Sequence, residues 1–410
     1  MTVGQAGMKH PSLAGMVDAI AAPMTREAMH ARFTQKAEAY LETCLAYALK
    51  ERIEGFCALQ AASLEPFQRV LIFDSSSWDV DPQLSGILPG SGGGASTANC
   101  KLQASYEYKQ GELGLFGIEP GTRPDSAYTT QLPFFLQAGD LALFDQGYFK
   151  LETLSQIDKK GAFFLTRFYV GTALRDAQSS TPIKLEELLL RLPGNAYQFQ
   201  VILGGQGGKK EIGCRLICLR VSEQIANERR RRILKTAKKK GRTPSRAHLA
   251  LCDWTLLVTN SPEAYLPAEK VWPLYTLRWQ IELLFKQLKS VLSIHRSHTK
   301  NLSRLKCEIY GKLILAVLIN RIHAHANNQL WNQKRRELSF DKFYKRIQER
   351  AFALLGLLLL SAHEAAKYLF AEMQRLTKNC LKLRQRSRQT TLELIEGAAG
   401  LNVEKLTSVR

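Results

Sequence analysis

The chain has 410 residues and a formal charge of +20, from 57 Lys and Arg against 37 Asp and Glu. That length allows a large core and two or three lobes, and 45% hydrophobic with 23% charged residues excludes a disordered chain. The excess of cations favours a polyanionic partner.

Asp18, Pro23 and Arg26 break the apolar stretch at the amino terminus, which argues against a secretory signal. Leu313–Ile319 and Ala351–Leu360 are too short to span a bilayer and read as buried helix. The eight cysteines are scattered. Only Cys214 and Cys218 are close, and with Leu216 between them they read as strand core, not a zinc site. A reducing cytoplasm is expected.

In chain order, residues 1 to about 64 predict helix, most firmly from Arg26 to Leu64. Val70-Leu71-Ile72-Phe73 predicts a buried strand ending on Asp74 and a serine run. Gly90–Ala95 reads as a flexible connection, because no Walker lysine follows it. Leu102, Ala104, Tyr106 and Tyr108 alternate with Lys101, Gln103, Ser105, Glu107 and Lys109, the pattern of a half-buried strand. Glu112–Ile118 is its hairpin partner across Gln110-Gly111. Asp125–Gln137 predicts a helix capped by Asp125 and bent or shortened by Pro133. Leu141–Phe144 predicts a second buried strand ending on an aspartate, Asp145, followed by a helix over Phe149–Lys159 and a strand over Ala162–Tyr169.

A strand-rich stretch follows from about 172 to 262, with strands over Tyr197–Leu203, Cys214–Val221 and Trp254–Thr259. Inside it, Glu228–Arg242 packs nine basic residues into fifteen, a solvated helix or loop suited to polyanion contact. From Leu292 to about Leu383 the pattern is helical again, and the tail from Arg384 is partly loose.

The densest pattern lies at Tyr275–Lys289. At about 100° per residue, Tyr275, Arg278, Glu282 and Lys289 fall within a strip about 60° wide on one helix. Leu277, Ile281, Leu284 and Leu288 form an apolar seam beside it. The strip runs about 21 Å, the scale of a nucleic-acid backbone. Its lone glutamate needs a reason, and a metal ion bridging it to phosphate supplies one. Asp74 and Asp145, at strand ends, face the crevice where α/β sheets bind ligands. Singly, each reads as a turn residue. Together with Glu282 they read as ligands of divalent cations, which relieve the repulsion of crowded carboxylates. Asp79, Asp81 and Asp140 rank lower, since none ends an apolar strand.

These residues resemble the insertion-sequence transposases of the IS-four type, within the DDE group. The signature there is Tyr, two residues, Arg, three residues, Glu, six residues, Lys, complete here as Tyr275, Arg278, Glu282 and Lys289. Asp74 and Asp145 match the family's two aspartates, and Arg167 its basic residue on the following strand; Ser75-Ser76-Ser77 departs from the threonine more often found after the first aspartate. The resemblance covers about residues 68 to 295. It implies an α/β fold: an RNase H-like core, a mixed sheet with helices, carrying a β-rich insertion and flanked by helical terminal regions. The expected boundaries are a helical region over 1–65, core over 66–171, insertion over 172–265, core with the signature helix over 266–300, and a helical region over 301–410.

The implied function is a DNA transposase that cuts element ends and joins the 3′-hydroxyl to target DNA, by cut-and-paste through a hairpin. Asp74, Asp145 and Glu282 would hold two Mg²⁺ (or Mn²⁺). DNA contacts are expected from Tyr275, Arg278, Lys289, Arg167, Trp279, Lys286, Arg230, Arg231 and Lys239. Trp254 and Trp279 are candidates to stack on a base, with core the favoured place for Trp254, and His295 and His298 are given no catalytic role. The partners are double-stranded DNA (terminal inverted repeats and target) and a second copy of the chain, with no membrane, at the bacterial nucleoid. The alternative is an inactive or repurposed transposase-derived DNA-binding protein.

Overall fold

A computed structural model describes residues 12–18, 23–51, 56–92, 96–204, 211–297, 299–350, 360–383, 389–397 and 404–405. His298, glycine-rich residues 93–95, the apolar run 351–359 and most of the tail beyond 383 lie outside the described residues. The chain is mixed α/β. Its described strands are β1 (Val70–Asp79), β2 (Asn99–Glu107), β3 (Glu112–Pro120), β4 (Leu141–Phe144), β5 (Phe163–Arg167), β6 (Leu174–Asp176), β7 (Ala196–Leu203), β8 (Ile212–Arg220), β9 (Trp254–Thr259) and β10 (Glu404–Lys405).

Two compact units divide the chain. The first takes 1–60, 72–123 and 279–388; the second takes 61–71, 124–278 and 389–410. In the first, β1, β2 and β3 lie side by side in that order. β2 and β3 form the expected antiparallel hairpin, turning at Gly111 with φ +69, a backbone conformation that costs glycine least. Alternation along β2 predicts one wet face, but Gln103, Ser105 and Glu107 are buried too. Their polarity is answered locally: Glu107 accepts hydrogen bonds from the backbone N–H of Lys109 and Gln110, at 3.1 and 2.7 Å. A polar residue on an alternating strand is therefore no guarantee of solvent.

The long Leu302–Lys334 helix organises this unit. It packs on the Gln35–Lys50 helix, where the Lys306 ammonium meets Glu38 at 2.6 Å. Helix is expected through Leu64, but residues 56–61 form neither helix nor strand. The reason is on the facing helix: Asn328 donates to the Cys57 carbonyl and Trp331 to that of Gln60, at 2.9 and 3.2 Å. Tertiary hydrogen bonds replace the helical ones.

In the second unit the order is β10-β7-β8-β9-β5-β4, with β6 on β7. β4 and β5 are parallel, register Leu141↔Phe163 to Phe144↔Thr166, and the Leu151–Lys159 helix joins them. This is the short-range order expected for a βαβ unit, in which a parallel pair needs a crossover. β9 runs antiparallel to both β5 and β8. Cys214 and Cys218 are buried on β8, and all eight cysteines are free. The helix expected over Asp125–Gln137 is instead two 3₁₀ turns and the four-residue helix Leu132–Phe135, and Pro124 stands at the N-cap of the first turn, where the sequence predicts Asp125. Pro133 removes a donor just where a longer helix would need it. No helix among the described residues is long and apolar enough to cross a membrane.

Candidate active site

Asp74 does not end its strand. β1 continues through the serines to Asp79, and what ends at Phe73 is the fully buried stretch. The apolar run thus marked the burial boundary, while the strand continues through serines whose small side chains suit a half-exposed ribbon. The Asp74 carboxylate accepts the Ser75 N–H at 2.8 Å. Asp145 does follow β4 directly, where it caps the Gln146–Tyr148 turn by accepting the Gly147 N–H at 2.5 Å. The lower-ranked aspartates have structural work: Asp140 is buried in a two-point pairing with Arg69, Asp79 accepts from Asn99 at 2.9 Å, and Asp81 caps a turn.

The signature is helical but not one helix. Ala268–Tyr275 ends in a 3₁₀ turn, Thr276–Arg278, before Trp279–Ser290 begins. Pro273 lies inside the first helix, and the Thr276 hydroxyl donates to the Pro273 carbonyl at 2.6 Å. A side chain thereby occupies a carbonyl near the break in the ladder. The apolar seam is as expected, with Leu277, Ile281, Leu284 and Leu288 all buried. The polar strip is divided: Tyr275 is buried, Arg278, Glu282 and Lys289 are half-buried, and Trp279 and Lys286 are exposed.

In the first unit, Asp74 and Glu282 line one cavity of about 650 Å³ with Ser75, Ser76, Phe285, Lys286, Lys289, Ser290 and His295. The Lys289 ammonium donates to the Ser77 carbonyl at 2.9 Å, and burial lowers its pKa. His295 is also pushed down, first by burial and then by Arg296, Lys289 and Lys312.

In the second unit, Tyr275, Arg278, Arg167 and Asp145 interact. Burial raises the Tyr275 phenol most, Arg278 and Arg167 oppose that, and Asp145 adds to it. The Arg167 guanidinium lies 6.0 Å from the centre of the Tyr275 ring. Beside them a cavity of about 410 Å³ is lined by Gln146, Arg167, Arg229, Arg232, His248 and apolar residues that include Trp254. The Arg229 pKa is lowered by burial and then by the neighbouring Arg167 cation. Trp254 is core, 4% exposed, with the Arg220 guanidinium 4.5 Å from its ring centre.

The basic run lies on the Glu223–Lys239 helix. Arg231 and Lys239 are exposed, whereas Arg230 pairs with Asp253. Arg229 and Arg232 belong to the basic run read from the sequence but are not singled out there. The signal was present in the helical spacing of Ala226, Arg229, Ile233 and Thr236, a face that turns inward at its start. Among the described residues, no group of three or more His, Cys, Asp or Glu is arranged to hold a metal ion. Asp74 and Glu282 line one cavity.

A family model described as a transposase DDE domain matches residues 65–318, taking in both aspartates and the whole Tyr275–Lys289 signature. The chain belongs to the transposase DDE domain family. Among relatives of this DDE transposase, the transposase for insertion sequence element IS231E from Bacillus thuringiensis subsp. finitimus is 30% identical over 388 residues, 91% of this chain and 81% of that protein. The IS231B transposase of Bacillus thuringiensis subsp. berliner is 31% identical over 389 residues, with the same shares. The IS1151 transposase of Clostridium perfringens is 29% identical over 315 residues, 73% of this chain and 66% of that protein. The likeness thus extends well beyond the DDE domain, and the protein is an insertion-sequence transposase.

Proposed function

We propose that this transposase cuts the ends of its element and joins the freed 3′-hydroxyl to target DNA, with Asp74, Asp145 and Glu282 as its catalytic carboxylates. The observation that carries this reading is the shared cavity of Asp74 and Glu282, walled by the Lys286 and Lys289 ammoniums. Residues far apart in sequence meet there in the mixture that phosphoryl transfer requires, anions for metal beside cations for phosphate.

The cavity fits Mg²⁺ by its donors. Two carboxylates and the hydroxyls of Ser75 and Ser76 are hard oxygens, and no thiol lines it. Asp74 and Glu282, joined by Asp145, would hold two Mg²⁺, for which Mn²⁺ substitutes. Bound there, such ions supply Lewis-acid polarisation of the attacking and leaving oxygens. The chain's own side chains do the rest. Lys286, Lys289, Arg167 and Arg278 hold phosphates, the arginines by paired N–H donors. Tyr275 interacts with both arginines. Water attacks first and the 3′-hydroxyl second, so no bond to the protein forms. Arg278, Lys289 and Tyr275 also steady a hairpin on the excised end, giving cut-and-paste movement.

The same reading takes residues 66–171 and 266–300 as an RNase H-like core, and 172–265 as its strand-rich insertion. Arg231 and Lys239 on the exposed basic helix, with Trp279 on the signature helix, extend the DNA surface. A dimer bridging two inverted repeats, at the nucleoid of a bacterial cytoplasm, completes the reading.

The test is cleavage of DNA carrying the native ends, with Mg²⁺, by the wild type and by Glu282→Gln. Cleavage lost in the variant with end binding retained is the expected result. Equal cleavage in both removes Glu282 from the chemistry. Tight end binding with cleavage in neither favours the inactive DNA-binding alternative.

A further inference from the structure

In the same unit as the Asp74–Glu282 cavity, the long Leu302–Lys334 helix buries two opposite charges one turn apart, Glu308 and Lys312. An apolar pair of similar volume would fill such a space at less desolvation cost. Both reach the same short segment. The Lys312 ammonium donates to the Ser293 carbonyl at 2.8 Å, and Glu308 accepts from the Ser297 hydroxyl at 2.7 Å. The second Glu308 oxygen is taken by the Arg304 guanidinium at 2.8 Å. A third tie comes from Gln348, whose amide donates to the Val291 carbonyl at 2.8 Å.

The segment so held is a tight turn. Ser293 has φ +52, an unfavourable conformation for a non-glycine residue, and the turn follows directly after the signature helix. Backbone strain of this kind persists only where the surroundings fix it. Between the ties stands His295, the one turn residue that lines the cavity of Asp74 and Glu282. Burial lowers the Lys312 pKa to about 8, and the Glu308 carboxylate opposes that shift.

We propose that Lys312 and Glu308 are positioning residues that latch the Val291–Ser297 turn and so present His295 to the DNA strand lying in the Asp74–Glu282 cavity. The role rests on the proposed phosphoryl-transfer function of that cavity. His295 contacts the strand as a neutral donor. The latch acts through it and touches no DNA.

The experiment has two arms. In the first, full-length wild type, Lys312→Met and Ser297→Ala are treated with diethyl pyrocarbonate, with and without an end-DNA duplex, and modification of His295 is read by mass spectrometry. DNA should shield His295 in the wild type, and the shielding should weaken in both variants while the overall end affinity is kept. This arm needs no cleavage, so it stands if the catalytic reading fails. Unshielded His295 in the wild type overturns the proposal, as does full shielding in both variants. Ser297→Ala serves if Lys312→Met does not fold, since it removes a single hydroxyl.

The second arm is a double-mutant cycle on cleavage rate. Lys312→Met alone should lose about 10²-fold, the cost of a displacement of about 1 Å near reacting groups. In a His295→Ala background the further loss should shrink towards nothing, because both changes remove one contact. Independent, additive losses would make Lys312 a plain structural residue. Glu282→Gln run alongside reports separately on the catalytic reading.

Discussion

Arg278 carries the sharpest expectation for a single side chain. It interacts with Tyr275 as Arg167 does, in the group that includes Asp145. A cation there stabilises charge that develops during transfer, so its removal should slow cleavage more than it weakens binding. Arg278→Ala is expected to lose roughly 10²-fold in cleavage rate, with end affinity changed far less. The reverse split, measured by gel shift and single-turnover cleavage, would make it an anchor. Asp140 gives a contrasting case. Its two-point pairing with Arg69 explains it without chemistry, so Arg69→Met should lower stability by about 3–5 kcal/mol through an uncompensated buried carboxylate. Denaturant unfolding would check this, and an unchanged midpoint would return Asp140 to the list of possible ligands. His323 is a third. Burial, and then Lys382, push its imidazole from 6.5 down to about 3. The unfolded chain therefore binds more protons between those values, and stability should fall as pH drops through that window. His323→Gln should flatten the decline in melting temperature between pH 7 and 5; a parallel decline would contradict the assignment.

At the scale of elements, strands were legible where burial and hydrogen bonding end together. β4 stops at Phe144 as its apolar run does, and the βαβ order to β5 follows. The end of β1 is not legible in its apolar run, because six residues after Phe73 stay in the strand while only Trp78 returns to the core. The signature segment shows the other limit. Its hydrophobic seam depends on side-chain phase, which survived the 3₁₀ turn, so Leu277 and Ile281 were placed correctly. The break itself came from a hydroxyl bonding to a carbonyl beside a proline, a contact with no periodic trace. Arg229 is not separable from its neighbours in the sequence for a related reason: among four adjacent arginines, only the direction in which the helix faces separates a cavity wall from solvent. One energetic consequence is direct. Phe144 is fully buried beside Asp145, and Phe144→Ala should cost about 3–5 kcal/mol. A smaller loss in calorimetry would mean that β4 is not the rigid mount the candidate site requires.

For the whole molecule, the charge of +20 and its placement make affinity for DNA an ionic matter. If six or more phosphates are neutralised, end affinity should fall about 10³-fold or more between 50 and 200 mM salt. A flat response would confine DNA to few backbone contacts. The candidate carboxylates were legible in the sequence as three positions, but not as a centre. Asp74 and Glu282 share a cavity in one unit, while Asp145 interacts with Tyr275 and belongs to the other. Sequence spacing marks which residues are unusual; which of them meet is decided by tertiary packing. The claim that all three serve one metal centre is tested most directly by replacing Mg²⁺ with Fe²⁺ in the complex with end DNA and mapping where radicals cut the protein backbone. Cuts clustered around residues 74, 145 and 282 are the predicted result. Cuts at 74 and 282 with none near 145 would contradict it.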